Sequence, residues 1–367
     1  MPTATPLLLD GVQATAGGAE NQVLMLARAL VRRGHRVGII AHDDPVGLRS
    51  QVDGVDVIAQ PMPRLRVPIV RTIVLYGRTA SALRANPARV LVQRNAGIYT
   101  VLTAVTARAL RRRFVYWAAS VIDFDLGRHE PRRWIVRLFE LGVRLADEVV
   151  VQTPEQVWLC RERFGREPLL IREIGEPAER RAADPEAFLW IGTLVGFKRP
   201  LAYVELARAV PEARFRMVAV RLPGAESAGL AVQVGDAARE LPNLELLAPR
   251  PRAQLAPLLE RAVAVVNTSL FEGMPNVFLE AWSRGVRALA LGHDPDGVIE
   301  RERLGFYAGG SPARLSELAR TMWQTRSDQD QLAARCQEYV TREHSPEQVV
   351  DRWVEALRQA GRADARD

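Results

Sequence analysis

The chain has 367 residues, more than the ~100 to 200 of one typical domain, so two domains are expected. Apolar residues make up 48% and charged residues 25%, which excludes disordered, collagen-like and disulfide-scaffold proteins. The two cysteines, Cys160 and Cys336, lie far apart and lack metal-ligand spacing, which excludes a zinc site. Because no apolar run is long enough for a signal sequence or a membrane span, a cytoplasmic protein is expected.

Positive charge is concentrated in the first half of the chain. Residues 1–172 carry 25 arginines against 15 acidic residues, a balance of +10, and the total of +7 leaves −3 for the remainder. Arginines flank aromatic residues at 111–114 and at 132–137, a pattern that suits an anionic membrane surface. No nucleic-acid-binding module accompanies them, so a nucleic-acid partner is not expected. An ordinary solvated face is the alternative.

The first part of the chain has the pattern of a doubly wound α/β domain. An apolar run at 6–10 predicts a strand, and apolar residues at helical spacing between 23 and 31 predict a helix that Gly34 ends. A second strand at 36–41 completes a βαβ unit, which is typical of a parallel sheet. Further predicted strands lie at 55–59, 90–93, 114–117 and 148–152.

The second part repeats this architecture. A polar stretch, 173–186, is predicted to link a first domain, 1–172, to a second domain, 187–345, and a final helix within 346–367 is expected to pack back toward the first domain. Two such domains are expected to face each other across a cleft, with the carboxyl ends of their strands toward it. The second domain has a predicted helix at 200–210, and its predicted strands lie at 188–192, 214–220, 244–247, 262–267 and 287–291.

The most informative segment is VVNTSLFEGMPNVFLEA at 265–281, which predicts a strand, a short loop and a helix starting near Asn276. Glu272 lies in the loop and Glu280 in the first turns of the helix. Free N–H groups at a helix start suit a phosphate group, and neighbouring carboxylates can accept hydrogen bonds from sugar hydroxyls. The alternative is an acidic residue in an ordinary helix. A capping box on Asn276 would instead require a Glu at 279, which is a Leu.

This segment, NTSxxEGMPNVxLEAW with its E-x7-E spacing, resembles the retaining, nucleotide-sugar-dependent glycosyltransferases of family 4. These enzymes have the GT-B fold, an α/β architecture of two doubly wound, Rossmann-like domains. The resemblance implies that Glu272 contacts the transferred sugar and that Glu280 binds the ribose hydroxyls. It further implies that sugar hydroxyls and diphosphate are held by the loop residues Gly273, Met274, Pro275, Asn276 and Val277.

A second segment, WIGTLVGFKRP at 190–200, resembles the family's diphosphate-binding loop, with Gly192 at its start. The family usually has Arg and then Lys five positions later, and this chain has Thr193 and Lys198. Lys198 is the only lysine among 50 basic residues, and an ammonium suits the charge that develops on a leaving phosphate. Thr193 brings no charge, and the adjacent Arg199 is predicted to compensate for it.

Glycines open the first predicted helix, where Gly17 and Gly18 would let the backbone approach a diphosphate. A plain strand-to-helix turn is the alternative. The G-x-G-x-x-G fingerprint is absent, so Asp43, at the end of the second strand, is the only feature left for a nicotinamide cofactor. Arg250, after the strand at 244–247, is predicted to lie near the nucleotide base.

The acceptor side departs from the family pattern. Many members carry a His after the fourth strand of the first domain, where this chain has Ser120 followed by Asp123 and Asp125. Asp123 or Asp125 is predicted to orient the acceptor hydroxyl, and His129 lies slightly further on. A turn or cap role is the commoner one for an acidic residue at a strand end.

The resemblance therefore implies a retaining transfer of sugar from a nucleotide-diphosphate sugar to a hydroxyl of a polysaccharide, glycolipid or metabolite. No paired-Asp metal motif is present, so a metal-independent reaction without a cofactor is expected. A lipid-linked acceptor would place the protein on the inner face of the membrane. Thr193 and the missing His favour the alternative, a GT-B-shaped binding or scaffold protein that has lost turnover. An epimerase or phosphorylase on the same fold is a third reading.

Overall fold

The computed structural model describes residues 18–41, 51–60, 68–130, 132–179, 184–327 and 330–362. The chain forms two compact units. The first contains the described residues of 18–174 together with 346–362, and the second contains those of Gly175–Ser345. The boundary thus falls between Ile174 and Gly175, inside the segment predicted to be a linker. The predicted strand at 6–10, Gly17 and Asp43 lie outside the described residues.

The first unit alternates strands and helices over most of its length. Its elements are α1 (Gly18–Arg32), β1 (Gly38–Ala41), β2 (Gln51–Val52), β3 (Val55–Ala59), α2 (Pro68–Ala85), β4 (Val90–Arg94), α3 (Ile98–Ala109), β5 (Arg113–Trp117), α4 (Leu126–His129), α5 (Arg133–Leu145), β6 (Glu148–Val151), α6 (Pro154–Phe164) and β7 (Leu169–Leu170). The last helix of the chain, Pro346–Arg362, also belongs to this unit and is numbered after the second unit.

The described strands of the first unit form two sheets. Strands β4, β5, β6 and β7 are neighbours in that order and are all parallel. Strand β1 pairs in parallel with β3, and β2 pairs with β3 in an antiparallel hairpin. The hairpin turns at Asp53 and Gly54, both with positive φ (51° and 79°), as a two-residue Asp-Gly turn requires.

The parallel sheet of the first unit is covered on both faces, as such sheets usually are. Phe114 and Tyr116 of β5 pack in a cluster with buried residues of α3, α5 and α6. Val115 and Trp117, which alternate with them, pack in another cluster with α1 and the last helix. The period-2 alternation of strand side chains therefore divides the core into two layers.

The last helix contributes a large aromatic side chain to the first unit. Trp353 is fully buried and meets Trp117 edge-on, with 4.9 Å between ring centroids. The Arg94 guanidinium lies 4.0 Å from the Trp117 ring and pairs with Glu173 at 2.5 Å. The side chains of Arg94 and Glu173 are only 4% and 0% exposed, so this ion pair is almost completely shielded from solvent.

The second unit also alternates strands and helices. Its elements, followed by the returning helix, are β8 (Ala187–Thr193), α7 (Pro200–Ala209), β9 (Phe215–Val220), α8 (Ala225–Glu240), β10 (Leu244–Leu247), α9 (Ala256–Glu260), β11 (Ala262–Asn267), α10 (Asn276–Ser283), β12 (Ala288–Ala290), α11 (Val298–Arg301), β13 (Gly305–Tyr307), α12 (Pro312–Gln324), α13 (Asp330–His344) and α14 (Pro346–Arg362).

The six strands described in the second unit are parallel and lie in the order β10-β9-β8-β11-β12-β13. Counted along the chain this is 3-2-1-4-5-6, the order of a Rossmann sheet. The direction of winding reverses between β8 and β11. The loops that follow these two strands therefore leave in opposite directions and open a crevice at the carboxyl ends, the usual ligand site of such a sheet.

Candidate active site

The crevice of the second unit is bordered by the loop after β8 and the loop after β11, and these loops contact each other. The Leu270 N–H donates to the Phe197 carbonyl at 2.9 Å. The Phe197 and Phe271 rings stack with 5.1 Å between centroids. The two loops therefore form one continuous wall of the site.

Lys198 and Glu272, from these two loops, form an ion pair. The Lys198 Nζ lies 2.9 Å from Glu272 Oε1, and the same oxygen accepts a hydrogen bond from Ser269 Oγ at 2.8 Å. Their side chains are 24% and 17% exposed, so both charges are partly shielded and still reach solvent. The structure thus brings together two of the predicted site residues, the only lysine and the first glutamate of the E-x7-E element.

Thr268 connects this site to the strand core. Its side-chain oxygen accepts a hydrogen bond from Trp190 Nε1 at 3.0 Å and donates to the Lys198 carbonyl at 2.6 Å. Thr268 is fully buried. Thr268 and Ser269 were not predicted as site residues, although their two adjacent hydroxyls, shortly before Glu272, are visible in the sequence.

Helix α10 begins at Asn276, as the sequence predicts. Pro275, not Asn276, occupies the N-cap position, and no side chain caps the helix. The proline ring holds φ at −63° with an extended ψ of 119°, so the helix can only begin after it. The Phe278 N–H donates to the Pro275 carbonyl at 3.0 Å, and the helix start carries the positive end of the helix dipole, which favours anions.

Glu280 lies on α10 and is paired with Arg252, a residue that the sequence analysis did not select. The Arg252 guanidinium contacts Glu280 Oε1 from the turn after β10, and Arg284 donates to the Glu280 carbonyl at 3.0 Å. Burial lowers the pKa of Arg252 to about 10, so the group stays charged at neutral pH. Arg250, which was predicted to lie near the nucleotide base, contacts its own loop, with Nε 3.5 Å from the Ala248 carbonyl.

A cavity of about 360 Å³ opens at the carboxyl ends of β8, β9 and β10. Most of its lining is apolar, and its one charged residue is an arginine. The lining residues are Leu194, Ala219, Arg221, Ala231, Val234, Leu246, Leu247, Ala248 and Pro249. It adjoins the β8 loop through Leu194 and the Arg250 loop through Pro249.

The remaining predicted residues of the β8 loop lie at its two ends. Gly192 and Thr193 are the last residues of β8, where a Cβ on Gly192 would lie 2.9 Å from the Trp190 ring. Arg199 has a positive φ of 48° and is the N-cap residue directly before α7, and it forms no ion pair within the described part of the chain. At the other glycine loop, Gly18 is the first residue of α1.

Asp123 lies in the first unit, below its surface. Its Oδ2 accepts hydrogen bonds from the Tyr116 hydroxyl and the Ala119 N–H, each at 2.7 Å. Burial raises the pKa of Asp123 to about 6, against the effect of these two bonds. The alternative, Asp125, is exposed and pairs with Arg128 at 2.9 Å. A role for either carboxylate toward an acceptor stays a prediction.

Solved structures share this fold over nearly the whole chain. Sucrose-phosphate synthase from Thermosynechococcus elongatus is 16% identical with a TM-score of 0.77, and the match covers 95% of this chain and 94% of that one. HepE from Anabaena, in complex with UDP and glucose, is 15% identical with a TM-score of 0.73, and the match covers 93% of this chain and 96% of that one. WaaG, a glycosyltransferase involved in lipopolysaccharide biosynthesis, is 17% identical with a TM-score of 0.68, and the match covers 91% of this chain and 95% of that one. No curated protein matches in sequence.

With its two α/β units and these likenesses, the chain has the fold of the GT-B glycosyltransferases, which confirms the predicted fold class. The family model of the glycosyl transferase 4-like domain matches residues 17–175. This match falls in the first unit, and together with the likeness in fold it agrees with the predicted resemblance to the family 4 glycosyltransferases.

Proposed function

We propose that the protein transfers a sugar from a nucleotide-diphosphate sugar to an acceptor hydroxyl with retention of configuration. The observation that carries the proposal is the ion pair of Lys198 and Glu272 at the switch point of the second sheet. It places one cation and one hydrogen-bond acceptor next to the uncapped start of α10. A diphosphate and a sugar present the complementary groups, an anion and hydroxyl donors.

In the proposed reaction, the bond from the anomeric carbon to the diphosphate oxygen breaks while the acceptor oxygen attacks from the same face. The departing phosphate oxygen takes the acceptor's proton, so no protein carboxylate acts as a nucleophile. Lys198 and the first-turn N–H groups of α10 stabilise the negative charge that develops on the leaving group. Glu272 accepts hydrogen bonds from the sugar hydroxyls and so orients the anomeric carbon.

The nucleoside is proposed to lie on the β10 side of the crevice. Glu280 accepts the ribose hydroxyls, with Arg252 holding its carboxylate in place. The base lies toward the cavity between Leu194 and Pro249, close to the loop of Arg250. HepE was solved with UDP and with UDP-glucose, which makes uridine nucleotides the first donors to test.

This proposal predicts selective stabilisation by one nucleoside diphosphate. UDP, GDP, ADP and TDP would be compared by thermal unfolding of the wild type and of Glu280→Ala. A ligand at 100 times its dissociation constant contributes about 2.7 kcal/mol to stability. We expect one base to give this shift and the Glu280→Ala variant to lose most of it.

The matched control is Glu240→Ala, which removes an exposed carboxylate (72% exposed) at the end of α8. This variant should respond to nucleotide as the wild type does. A wild type that no nucleotide stabilises would contradict the proposed donor. A shift that survives in Glu280→Ala would place the ribose elsewhere.

We also propose that the transfer needs no divalent ion, because the Lys198 ammonium supplies the positive charge beside the leaving group. Donor turnover is therefore expected to continue in excess chelator at its original rate. Activity that disappears with EDTA and returns with Mg²⁺ or Mn²⁺ would overturn this part of the mechanism.

A binding or scaffold protein without turnover is the second candidate function. It is favoured by Thr193, the last residue of β8, which supplies no charge where the family usually has an arginine. Slow donor hydrolysis in the absence of acceptor separates the two functions, because a pure binder releases no free sugar. The Lys198 and Glu272 pair favours the enzyme.

The first unit offers a surface for an anionic membrane. Helices α3, α5 and α6 share one face of the parallel sheet, and their outer sides expose large apolar residues. Trp134 is 52% and Trp158 is 59% exposed, and Leu141 lies on the same outer side of α5. No described helix is long and apolar enough to cross a bilayer.

Helix α5 adds positive charge to this surface. Arg133, Arg137 and Arg144 are exposed, and none forms an ion pair among the residues that the structure describes. Arginines beside exposed tryptophan and leucine fit an interface of acidic headgroups over acyl chains. We propose that this face binds an anionic bilayer that carries a lipid-linked acceptor.

Co-sedimentation with lipid vesicles tests the membrane surface. At low salt the protein should sediment with phosphatidylglycerol vesicles and stay in solution with phosphatidylcholine alone. An Arg133→Gln, Arg137→Gln variant should lose most of this binding, whereas Arg208→Gln, on α7 of the second unit, should keep it. Failure of the wild type to sediment with the anionic vesicles ends the proposal.

A further inference from the structure

We propose that two adjacent hydroxyls, those of Thr268 and Ser269, position the two charged groups of the site through two different hydrogen bonds. Thr268 sets Lys198 and therefore the diphosphate, and Ser269 sets Glu272 and therefore the sugar. Both are positioning residues, since neither is proposed to touch the donor. The inference rests on the proposed function and assigns separate roles within that site.

Thr268 acts on the backbone of Lys198. A threonine hydroxyl has one hydrogen to donate, and here it goes to the Lys198 carbonyl at 2.6 Å. A lone pair of the same oxygen accepts the Trp190 indole N–H at 3.0 Å, which anchors Thr268 to β8. The Lys198 backbone is thereby tied to the sheet at the residue whose side chain carries the charge.

A second tie supports this arrangement. The Leu270 N–H donates to the Phe197 carbonyl, so the β11 loop holds the backbone at two successive carbonyls, those of Phe197 and Lys198. The Lys198 ammonium can then move only by rotation of its own side chain. Without the Thr268 hydroxyl, the Lys198 carbonyl would lose its hydrogen-bond partner, and the backbone from which the ammonium extends would no longer be held in place.

Ser269 acts on the Glu272 side chain. Its hydroxyl donates to Glu272 Oε1 at 2.8 Å, while its own N–H donates to Asn267 Oδ1 at 2.8 Å. Lys198 Nζ contacts the same oxygen, Oε1. Within the described residues no hydrogen bond reaches Glu272 Oε2. The contacts of Ser269 Oγ and Lys198 Nζ with Oε1 therefore orient the carboxylate and leave Oε2 to accept a hydrogen bond from a sugar hydroxyl.

The two roles separate when a nucleoside diphosphate is compared with its sugar conjugate. The diphosphate alone uses Lys198 and does not use Glu272, so the ratio of the two dissociation constants measures the contribution of the sugar. Thr268→Val should weaken both ligands equally, by about tenfold, as expected for a displaced charge-assisted hydrogen bond. Ser269→Ala should leave the diphosphate unchanged and weaken the sugar conjugate about five- to tenfold.

Calorimetric titration of the wild type and both variants measures these constants without turnover. Thr268→Ser, which keeps the hydroxyl, should restore diphosphate binding. Ser316→Ala, which removes a hydroxyl of similar burial on α12, controls for a general loss of stability. Circular dichroism checks that each variant is folded, and Thr268→Ala, which also removes the hydroxyl, carries the test of Thr268 if the valine variant is not.

Different results overturn different claims. Equal losses for both ligands in Ser269→Ala, or unchanged binding of both in Thr268→Val, overturn the separate roles and leave the proposed function intact. A Thr268→Ser variant as weak as Thr268→Val also contradicts the role of the hydroxyl. A wild type that binds neither the diphosphate nor the sugar conjugate overturns the proposed function, and this inference with it.

Discussion

Replacing Lys198 with methionine is expected to lower the rate of sugar transfer about 10²- to 10³-fold, the usual effect of removing one preorganised donor from a developing charge. Methionine keeps most of the side-chain length and removes only the ammonium. The loss should appear mainly in kcat, because the charge on the departing diphosphate is largest in the transition state. Steady-state transfer or donor hydrolysis with the stabilising nucleotide sugar measures it.

Two variants control this prediction. Arg199→Gln removes the neighbouring cation, which forms no ion pair in the described structure, and should cost less than tenfold. Lys198→Arg keeps the charge in a different geometry and should recover only part of the rate, because guanidinium and ammonium are not interchangeable at a fitted site. Full activity in Lys198→Met would remove the lysine from the mechanism and favour the binding-protein alternative.

Replacing Trp353 with alanine is expected to destabilise the first unit by about 3–5 kcal/mol, the range for a buried aromatic side chain. Trp353 is fully buried and contacts Trp117, which in turn lies under the Arg94 guanidinium. The truncation would leave a cavity among the apolar side chains that pack around Trp353. Denaturant unfolding, followed by hydrogen exchange of the β4, β5 and β6 amides, measures the loss.

The matched control is Trp134→Ala, which removes a tryptophan that is 52% exposed on α5 of the same unit. It should change stability by less than about 0.5 kcal/mol. Exchange in β8 and β11 should be unaltered in both variants, because these strands belong to the other unit. A loss below about 1 kcal/mol for Trp353→Ala would mean that α14 contributes little to the first unit.

Strands with four or more apolar-rich residues could be predicted from the sequence, and their observed bounds differ by at most two residues. Strands β2 and β7 were missed because they have only two residues, too few for a pattern to repeat, and the three-residue strand β13 was missed as well. Strand β13 depends on a long-range fit. A Cβ on Gly305 would lie 2.1 Å from the Ala288 carbonyl, so only glycine allows that strand to pair with β12.

The residues of the candidate site also divide into those that the sequence could predict and those that it could not. Glu272, Glu280 and Lys198 could be selected from the sequence because they stand in two contiguous segments that resemble the motifs of a known family. The partner of Glu280 was missed because Arg252 is 28 positions earlier, and no local pattern connects the two. Thr268 was missed because the partners in its two hydrogen bonds are 78 and 70 residues away in the sequence. Contacts of this kind depend on the sheet order, which local periodicity does not encode.

The membership of α14 in the first unit has a consequence for synthesis of the chain. Residues 346–362 leave the ribosome after the whole second unit, yet they cover one face of the first sheet. Until then Val115, Trp117 and Val150 lack their partners from α14, and this apolar face is open to other chains. The second unit can complete its own core first. Chaperones that recognise exposed apolar surface should therefore bind the nascent first unit for as long as the second is being made.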